Sequence, residues 1–436
     1  MSAKVFDQAY NGVANSHLWF VSHLLYDTPN QPRFGAEFAA GWAAYREYNG
    51  AFATALAENV PAGDAGGVRV MVQDYHLALV PAMLARLRPG VPVAHFSHTP
   101  WAPPDYFRIL PGPAGRELLE GMLGADHAGF LAQRWADAFL DCCEAILGAD
   151  VDRGRQQVSH RGHVCRVGVH PLGVDATEMR RRAHQADVEA HVAALARATR
   201  GRQLIVRVDR TELSKNIVRG LAAYRELLVS HPELHGRVTH LAFAYPSRSG
   251  LAGYRAYTDS VLRAAAQITA EFGTPDWEPL ILEVKDDYAR SLAAYRLADV
   301  LVVNPIRDGM NLVAKEGPIL SDRGCALVLS EEAGARAELG EHALLVNPFD
   351  VTATAQAMYA GLTMPAGERD ARRAALARAG AAMPPGRWLA SQVAALDLSG
   401  PLIRPRAGRA GGPASRARRP RRPGRPAPGR PPGPAR

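Results

Sequence analysis

Short β-branched runs recur along this sequence, each followed by a longer amphipathic stretch, and that alternation constrains the fold more than any other feature. Residues 68–73 (VRVMVQ) read as a strand, followed by a helix over about 76–87. Strands are next expected at 91–96 and 128–131, with a helix over about 134–147. A charged helical stretch at 176–200 intervenes, and the alternation then restarts. Residues 204–208 (LIVRV), 239–245, 280–284, 300–303, 326–329 and 343–346 read as strands, and 216–230, 251–272 and 288–297 as helices. Strands separated by helices argue for parallel sheets covered on both faces. Two series divided near residue 200 predict two doubly wound α/β domains, with ligands at the C-terminal ends of their strands. Ahead of the first strand stand two expected helices, near 5–26 and 35–58. The Gly66–Gly67 pair precedes a strand and reads as a plain turn.

The 436 residues are 47% hydrophobic and 22% charged, a balance that supports real cores. No apolar run reaches the roughly 18–20 residues of a membrane span, and the N-terminus carries no signal-peptide pattern. Cys142, Cys143, Cys165 and Cys325 fall at no metal-ligand spacing, as expected of reduced thiols in a cytoplasmic protein. The net charge of +8 belongs to the C-terminus: residues 404–436 hold eleven arginines and no acid, so removing eleven from eight leaves −3 for the rest. That Arg/Pro/Gly/Ala segment, from about Pro401, has little to bury and is expected to be disordered. A basic tail can bind nucleic acid by charge alone, but nucleic acid is not an expected partner of a slightly acidic body.

Four segments carry chemistry. In NPIRDGMNLVAKE (residues 304–316) a strand gives way to Asp308–Gly309 and then to a helix. Gly309 would let a ligand approach the backbone. The N–H groups of Met310, Asn311, Leu312 and Val313 would face an anion at the positive end of the helix dipole. Glu316 on that helix could accept from hydroxyls of the same ligand, such as a ribose. VDRTELSKN (208–216) places Arg210 and Lys215 just past another strand, a fork and a point charge suited to a diphosphate. QDYHL (73–77) and HFSHTPW (95–101) bring Asp74, His98 and Trp101 to strand ends in the N-terminal half, a set suited to a polyhydroxylated ligand. Arg248, after the 239–245 strand, could meet a second phosphate. Asp150-Val151-Asp152 reads as a polar loop rather than a metal-nucleotide site. The G-x-S-x-G, G-x-x-x-x-G-K-[ST], H-E-x-x-H and G-x-G-x-x-G patterns do not occur, so the corresponding hydrolase, P-loop, zincin and dinucleotide readings lack their key residues.

Taken together, QDYHL, HFSHTP, the Arg210 and Lys215 pair, RDGMNLVAKE and the later LLVNPFD resemble the trehalose-6-phosphate synthases of glycosyltransferase family 20, over about residues 5–398. The resemblance implies two Rossmann-like domains facing across a cleft (the GT-B type): residues 1–199 on the acceptor side and 200–386 on the nucleotide-sugar side. A helix at 387–400 would cross back, ahead of the tail at 401–436. It implies transfer of glucose from UDP-glucose or GDP-glucose to glucose 6-phosphate, with retention and with neither metal nor cofactor. Arg210 and Lys215 would hold the donor diphosphate, and Leu312, Val313 and Glu316 the nucleotide. His98 and Asp308 would contact the transferred glucose, Asp74 an acceptor hydroxyl and Arg248 the acceptor phosphate. Family members begin with a strand bearing an Arg and a Gly-rich loop, and this chain starts downstream of both, so the first strand unit is expected to be missing. HFSHTPW departs from a family form close to FLHIPFP, placing Trp101 where a Phe is usual and bringing other acceptors, glycerol 3-phosphate or a cyclitol phosphate, into view. A non-catalytic sugar-phosphate-binding protein is the alternative from a different class. The oligomeric state, a homo-oligomer included, stays open.

Overall fold

The computed structural model describes residues 1–61, 67–248 and 252–397. Gly66 and the basic tail from about Pro401 lie outside the described residues. Among the described residues the alternating segments form twelve strands in two six-stranded sheets. The first sheet contains β1 (Val70–Gln73), β2 (Val93–Ser97), β3 (His127–Phe130), β4 (Asp150–Asp152), β5 (Gln157–His160) and β6 (His163–Val169), in the order β1-β2-β3-β6-β5-β4. The second contains β7 (Gln203–Arg210), β8 (Val238–Tyr245), β9 (Leu280–Glu283), β10 (Val300–Val303), β11 (Ala326–Ser330) and β12 (Leu344–Val346), in the order β12-β11-β10-β7-β8-β9.

Every pairing in the second sheet is parallel. The strand path runs outward from β7 through β8 to β9, then returns to β10 on the other side of β7. The gap between β7 and β10 is therefore the topological switch point, where side chains of diverging loops leave a crevice. Here Ile205 and Val206 pair with Val300 and Leu301. β10 is wholly apolar and buried, and β7 is buried from Leu204 to Asp209, its Arg207 and Asp209 paired with each other, as a sheet covered on both faces requires.

The first sheet departs from the all-parallel expectation. β1, β2, β3 and β6 are parallel, but β4, β5 and β6 form an antiparallel meander. Asp150-Val151-Asp152 is thus edge strand β4, not a loop. Its short polar sequence, and the hairpin turn with Arg161 and Gly162 at positive φ, hid the meander from a reading tuned to long apolar runs. Two helical segments likewise replace the single stretch at 176–200: Ala176–Ala183 and Ala186–Thr199, broken at His184 and Gln185.

Ahead of β1, residues 3–22 form one helical rod that widens to i→i+5 spacing over Gln8–Leu18, and Ala36–Asn59 packs against it. The chain crosses between the halves twice, and the crossings are bonded to each other: Gly173 N donates to Met383 O at 2.7 Å and Val174 N to Gly380 O at 3.0 Å. A side chain at Gly173 would strike those carbonyls. Helix Pro385–Asp397 then lies on the first sheet, with Trp388 edge-on to Phe96, Ser391 Oγ 2.8 Å from His170 Nδ1 and Asp397 paired with Arg69. One apolar core joins residues of both halves, from Phe96 and Trp135 to Val206 and Leu301.

Candidate active site

β7 ends at Arg210, and a tight turn carries the chain through Leu213–Lys215 to Asn216, whose backbone is left-handed (φ 58°). Asn tolerates that conformation better than most residues. Its buried amide then donates to Asn304 O at 3.0 Å and Pro348 O at 2.7 Å, tying together the loops after β7, β10 and β12. The turn aims Lys215 across the switch point. Lys215 Nζ lies 2.5 Å from Asp308 Oδ2, with both side chains largely enclosed. Burial pushes the Asp308 carboxyl up, but the charge and hydrogen bond of Lys215 outweigh it and hold the group below its usual range. Burial likewise favours neutral Lys215, and Asp308 and Asp209 reverse it. The pair is charged.

After Asp308 the backbone is packed tightly. A Cβ at Gly309 would run into the carbonyl of His98, so the close approach that requires glycine here is that of the first half's own backbone, not of a ligand as expected. Trp135 Nε1 holds Gly309 O at 2.9 Å, and Ala335 N donates to Met310 O at 2.8 Å. Met310 is buried. Asn311 adopts φ 84°, gives its amide to Asp308 Oδ2 at 3.1 Å and accepts from Ala314 N at 3.3 Å. It therefore caps the helix Val313–Leu320. The N–H groups of Leu312 and Val313 come before that helix's first internal bonds and have no i−4 carbonyl within it. Glu316 sits one turn further, its carboxyl raised by burial with a Tyr295 hydrogen bond acting against the shift. Arg210 differs from Lys215: its side chain is 59% exposed and paired with Glu212 at 3.1 Å.

In the first half, β1 delivers Asp74 in a conformation non-glycine residues seldom adopt (φ 68°, ψ 171°), a strain characteristic of functional sites. Its Oδ1 accepts from His98 N at 3.2 Å. Burial raises its pKa to about 6, while backbone hydrogen bonds from His98, Tyr75 and Thr99 and the charge of Arg248 pull the other way. His98 Nε2 lies 2.8 Å from Gln73 Oε1, and burial lowers its pKa, which favours a neutral imidazole. Arg248 reaches over from the second half. It donates to Tyr254 OH at 2.7 Å and Tyr75 OH at 3.2 Å, and its guanidinium lies 4.8 Å from the centre of the Trp19 ring.

Trp101 corrects the sequence reading. Its ring stacks on Phe107 and meets Phe130 and Phe139 edge-on, at 5% exposure. It belongs to the aromatic core and presents no face to a sugar. The residues that line this side and that the sequence did not single out come from the N-terminal rod: Trp19, Asn15 (bonded to Tyr75 OH at 2.9 Å) and Tyr10, stacked on His76. His23, held near pKa 4 by burial, lies within electrostatic reach of Asp308, Lys215 and Glu212. Their only advance signal was an aromatic-rich helix, which reads equally as core.

Among the described residues no group of three or more His, Cys, Asp or Glu converges as a metal site, and no helix is long and apolar enough to cross a membrane. All four cysteines are free and buried.

The chain matches the family model for glycosyltransferase family 20 over residues 1–397. It is 34% identical over 367 residues to a bifunctional trehalose-6-phosphate synthase/phosphatase of Thermoproteus tenax, covering 84% of this chain and 48% of that protein. It thus spans about half the length of the first curated relatives it matches. A solved α,α-trehalose-phosphate synthase (UDP-forming) from Burkholderia xenovorans in complex with glucose-6-phosphate superposes with a TM-score of 0.82 at 28% identity, covering 91% of this chain and 85% of that one. An E. coli structure described as trehalose-6-phosphate bound with UDP-2-fluoro glucose gives a TM-score of 0.84 at 28% identity, covering 92% and 86%.

Proposed function

The chain belongs to glycosyltransferase family 20, and from that premise we propose that it transfers glucose from UDP-glucose to glucose 6-phosphate, giving trehalose 6-phosphate with retention at the anomeric carbon. The observation that carries the reading is the charged Lys215–Asp308 pair at the β7/β10 switch point, beside the start of helix Val313–Leu320. Lys215 and Arg210 supply positive charge to the donor diphosphate, and the N–H groups of Leu312 and Val313 add the field of the helix end. Glu316 receives the ribose hydroxyls. Asp308 and neutral His98 orient the transferred glucose, Asp74 accepts from an acceptor hydroxyl, and Arg248 takes the acceptor phosphate.

The chemistry follows from where charge develops. As the glucose C1–O bond to the diphosphate breaks, negative charge grows on the leaving oxygen, and fixed cations with oriented dipoles in an enclosed cleft stabilise it without reorganising. The acceptor's anomeric hydroxyl forms the new bond to C1 from the face the diphosphate leaves, and its proton passes to the departing phosphate. A double displacement would need a free carboxylate nucleophile beside a carboxylic acid. Asp308 is committed to Lys215 and Asn311, and Asp74 to backbone donors, which favours the same-face route.

Incubating the purified chain with UDP-glucose and glucose 6-phosphate, and following UDP release and a phosphorylated disaccharide by mass spectrometry, tests the reading. GDP-glucose and glycerol 3-phosphate in parallel arms test donor and acceptor. Formation of the non-reducing disaccharide phosphate is expected. Its absence with UDP-glucose would sink the proposal, and product with GDP-glucose alone would replace the donor.

A further inference from the structure

Glu212 has no part in the transfer chemistry, yet it is one of the most enclosed charged residues at the cleft, at 1% exposure. It stands in the turn after β7, two residues beyond Arg210 and three before Lys215. Its Oε1 accepts from Ser247 Oγ at 2.8 Å and lies 3.1 Å from Arg210 Nη1. Ser247 directly precedes Arg248, so one carboxylate grips both the donor-side loop and the acceptor-side loop. The two loops are also joined through their backbones, with Thr211 N donating to Tyr245 O at 2.6 Å, and Glu212 O accepts from Lys215 N at 3.0 Å. Arg248 and Lys215 both lie within electrostatic reach of the carboxylate. Enclosing a carboxylate costs free energy that a neutral side chain would avoid. Arg210 explains the charge: its side chain is mostly exposed and is long enough to hold many rotamers, and the Glu212 contact selects one of them.

The geometry points to Glu212 as a positioning residue that fixes the pose of Arg210 and couples it to the Arg248 loop, so that the grips on donor diphosphate and acceptor phosphate are set together. The inference rests on the glucosyl-transfer reading of the cleft. Glu212 does not touch substrate; it acts through Arg210.

A double-mutant cycle on UDP affinity separates the possibilities. Calorimetric titration of UDP into the full chain is compared for wild type, E212A, R210A and E212A/R210A. Each single variant should weaken UDP by about tenfold, the scale of a charge-assisted contact, and the double variant should bind no more weakly than R210A alone. Saturating glucose 6-phosphate should tighten UDP binding in wild type and do so less in E212A. E212Q, which keeps the accepting oxygen but not the charge, should recover part of the loss in kcat/KM, and it carries the cycle if E212A does not fold. Additive losses in the double variant, or wild-type UDP affinity in both Glu212 variants, would overturn the inference while leaving the transfer reading intact. So would E212Q binding UDP normally with its turnover gone, which would move Glu212 among the reacting groups. A wild-type chain that binds no UDP overturns both.

Discussion

Lys215 Nζ and Asp308 Oδ2 meet at 2.5 Å across the ends of β7 and β10, and in doing so join the two loops that the strand order forces apart. The pairing favours the charged form of both groups: burial opposes charge on each, and the partner outweighs it. It also gives Lys215 one defined place beside the helix start that follows Asp308. A cation held this way needs no reorganisation when charge appears on a leaving group, which is the condition for electrostatic catalysis.

The two cations of this loop should therefore respond differently to truncation. Arg210→Ala removes a mostly exposed side chain but leaves enclosed Glu212 with only its Ser247 hydrogen bond, so turnover should fall about a hundredfold or more while stability drops by about 1–2 kcal/mol. Lys215→Ala should lose as much activity and also leave Asp308 enclosed without its partner, a cost of about 3 kcal/mol. Adding Asp308→Asn should restore stability without restoring turnover. Melting curves and initial rates on the four proteins check this, and equal melting temperatures for R210A and K215A would contradict it.

The contrast between these residues also marks what the sequence could say. Lys215, Asp308 and the helix at Val313–Leu320 were legible because a strand-to-helix junction broadcasts itself: apolar run, Asp-Gly, amphipathic stretch. Short-range pattern places a residue on a loop but does not say which way its side chain turns. Hence Trp101, three residues after His98 in the same segment, reads as a ligand contact and is core. Gly309 reads as space for a ligand, and the space is filled by the His98 carbonyl. Trp19 and Asn15 were invisible because they are brought to this side by contacts with Arg248 and Tyr75, far away in sequence. The β4–β6 meander escaped because its polar alternation is that of a half-exposed antiparallel edge.

Trp101→Phe tests the correction directly. A core ring packed by Phe107, Phe130 and Phe139 should cost roughly 1–3 kcal/mol of stability when shrunk. The KM for glucose 6-phosphate should stay within about twofold at a temperature well below melting, since that fold-change is worth less than half a kcal/mol. A tenfold rise in that KM with an unchanged melting temperature would return Trp101 to the acceptor site.

Gly309→Ala addresses the contact between the halves. The added methyl meets backbone rather than a yielding side chain, so the Asp308–Met310 segment or the His98 segment must shift, at roughly 1–3 kcal/mol. Because Asp308 is the adjacent residue, a displacement of about 1 Å should cost on the order of a hundredfold in kcat. Kinetics on the folded variant, with near-UV circular dichroism to confirm packing, would reveal it. Unaltered kcat would show that the junction has slack.

Asp74 couples stability to pH in a direction that exposes its role. Its pKa is about 6 in the folded chain, raised by burial from 3.8. Between those values the unfolded chain has lost the proton and the folded chain still holds it, so stability falls as pH rises through this window and levels off above about pH 6. The cost at neutral pH is about 3 kcal/mol, at 1.36 kcal/mol per pKa unit. Asp74→Asn keeps an oxygen to accept from His98 N and cannot ionise. It should match wild-type stability near pH 4 and exceed it increasingly toward pH 7, flat beyond. The same variant should lose turnover, because a carboxylate that accepts from an acceptor hydroxyl is replaced by a weaker neutral acceptor. Wild-type activity should correspondingly rise with pH up to about 6. Thermal melts of both proteins from pH 4 to 8, with rates at saturating substrate, check the two halves together. A variant less stable than wild type at pH 7, or one with full activity, would remove Asp74 from the reaction and leave its strained backbone without a functional reason.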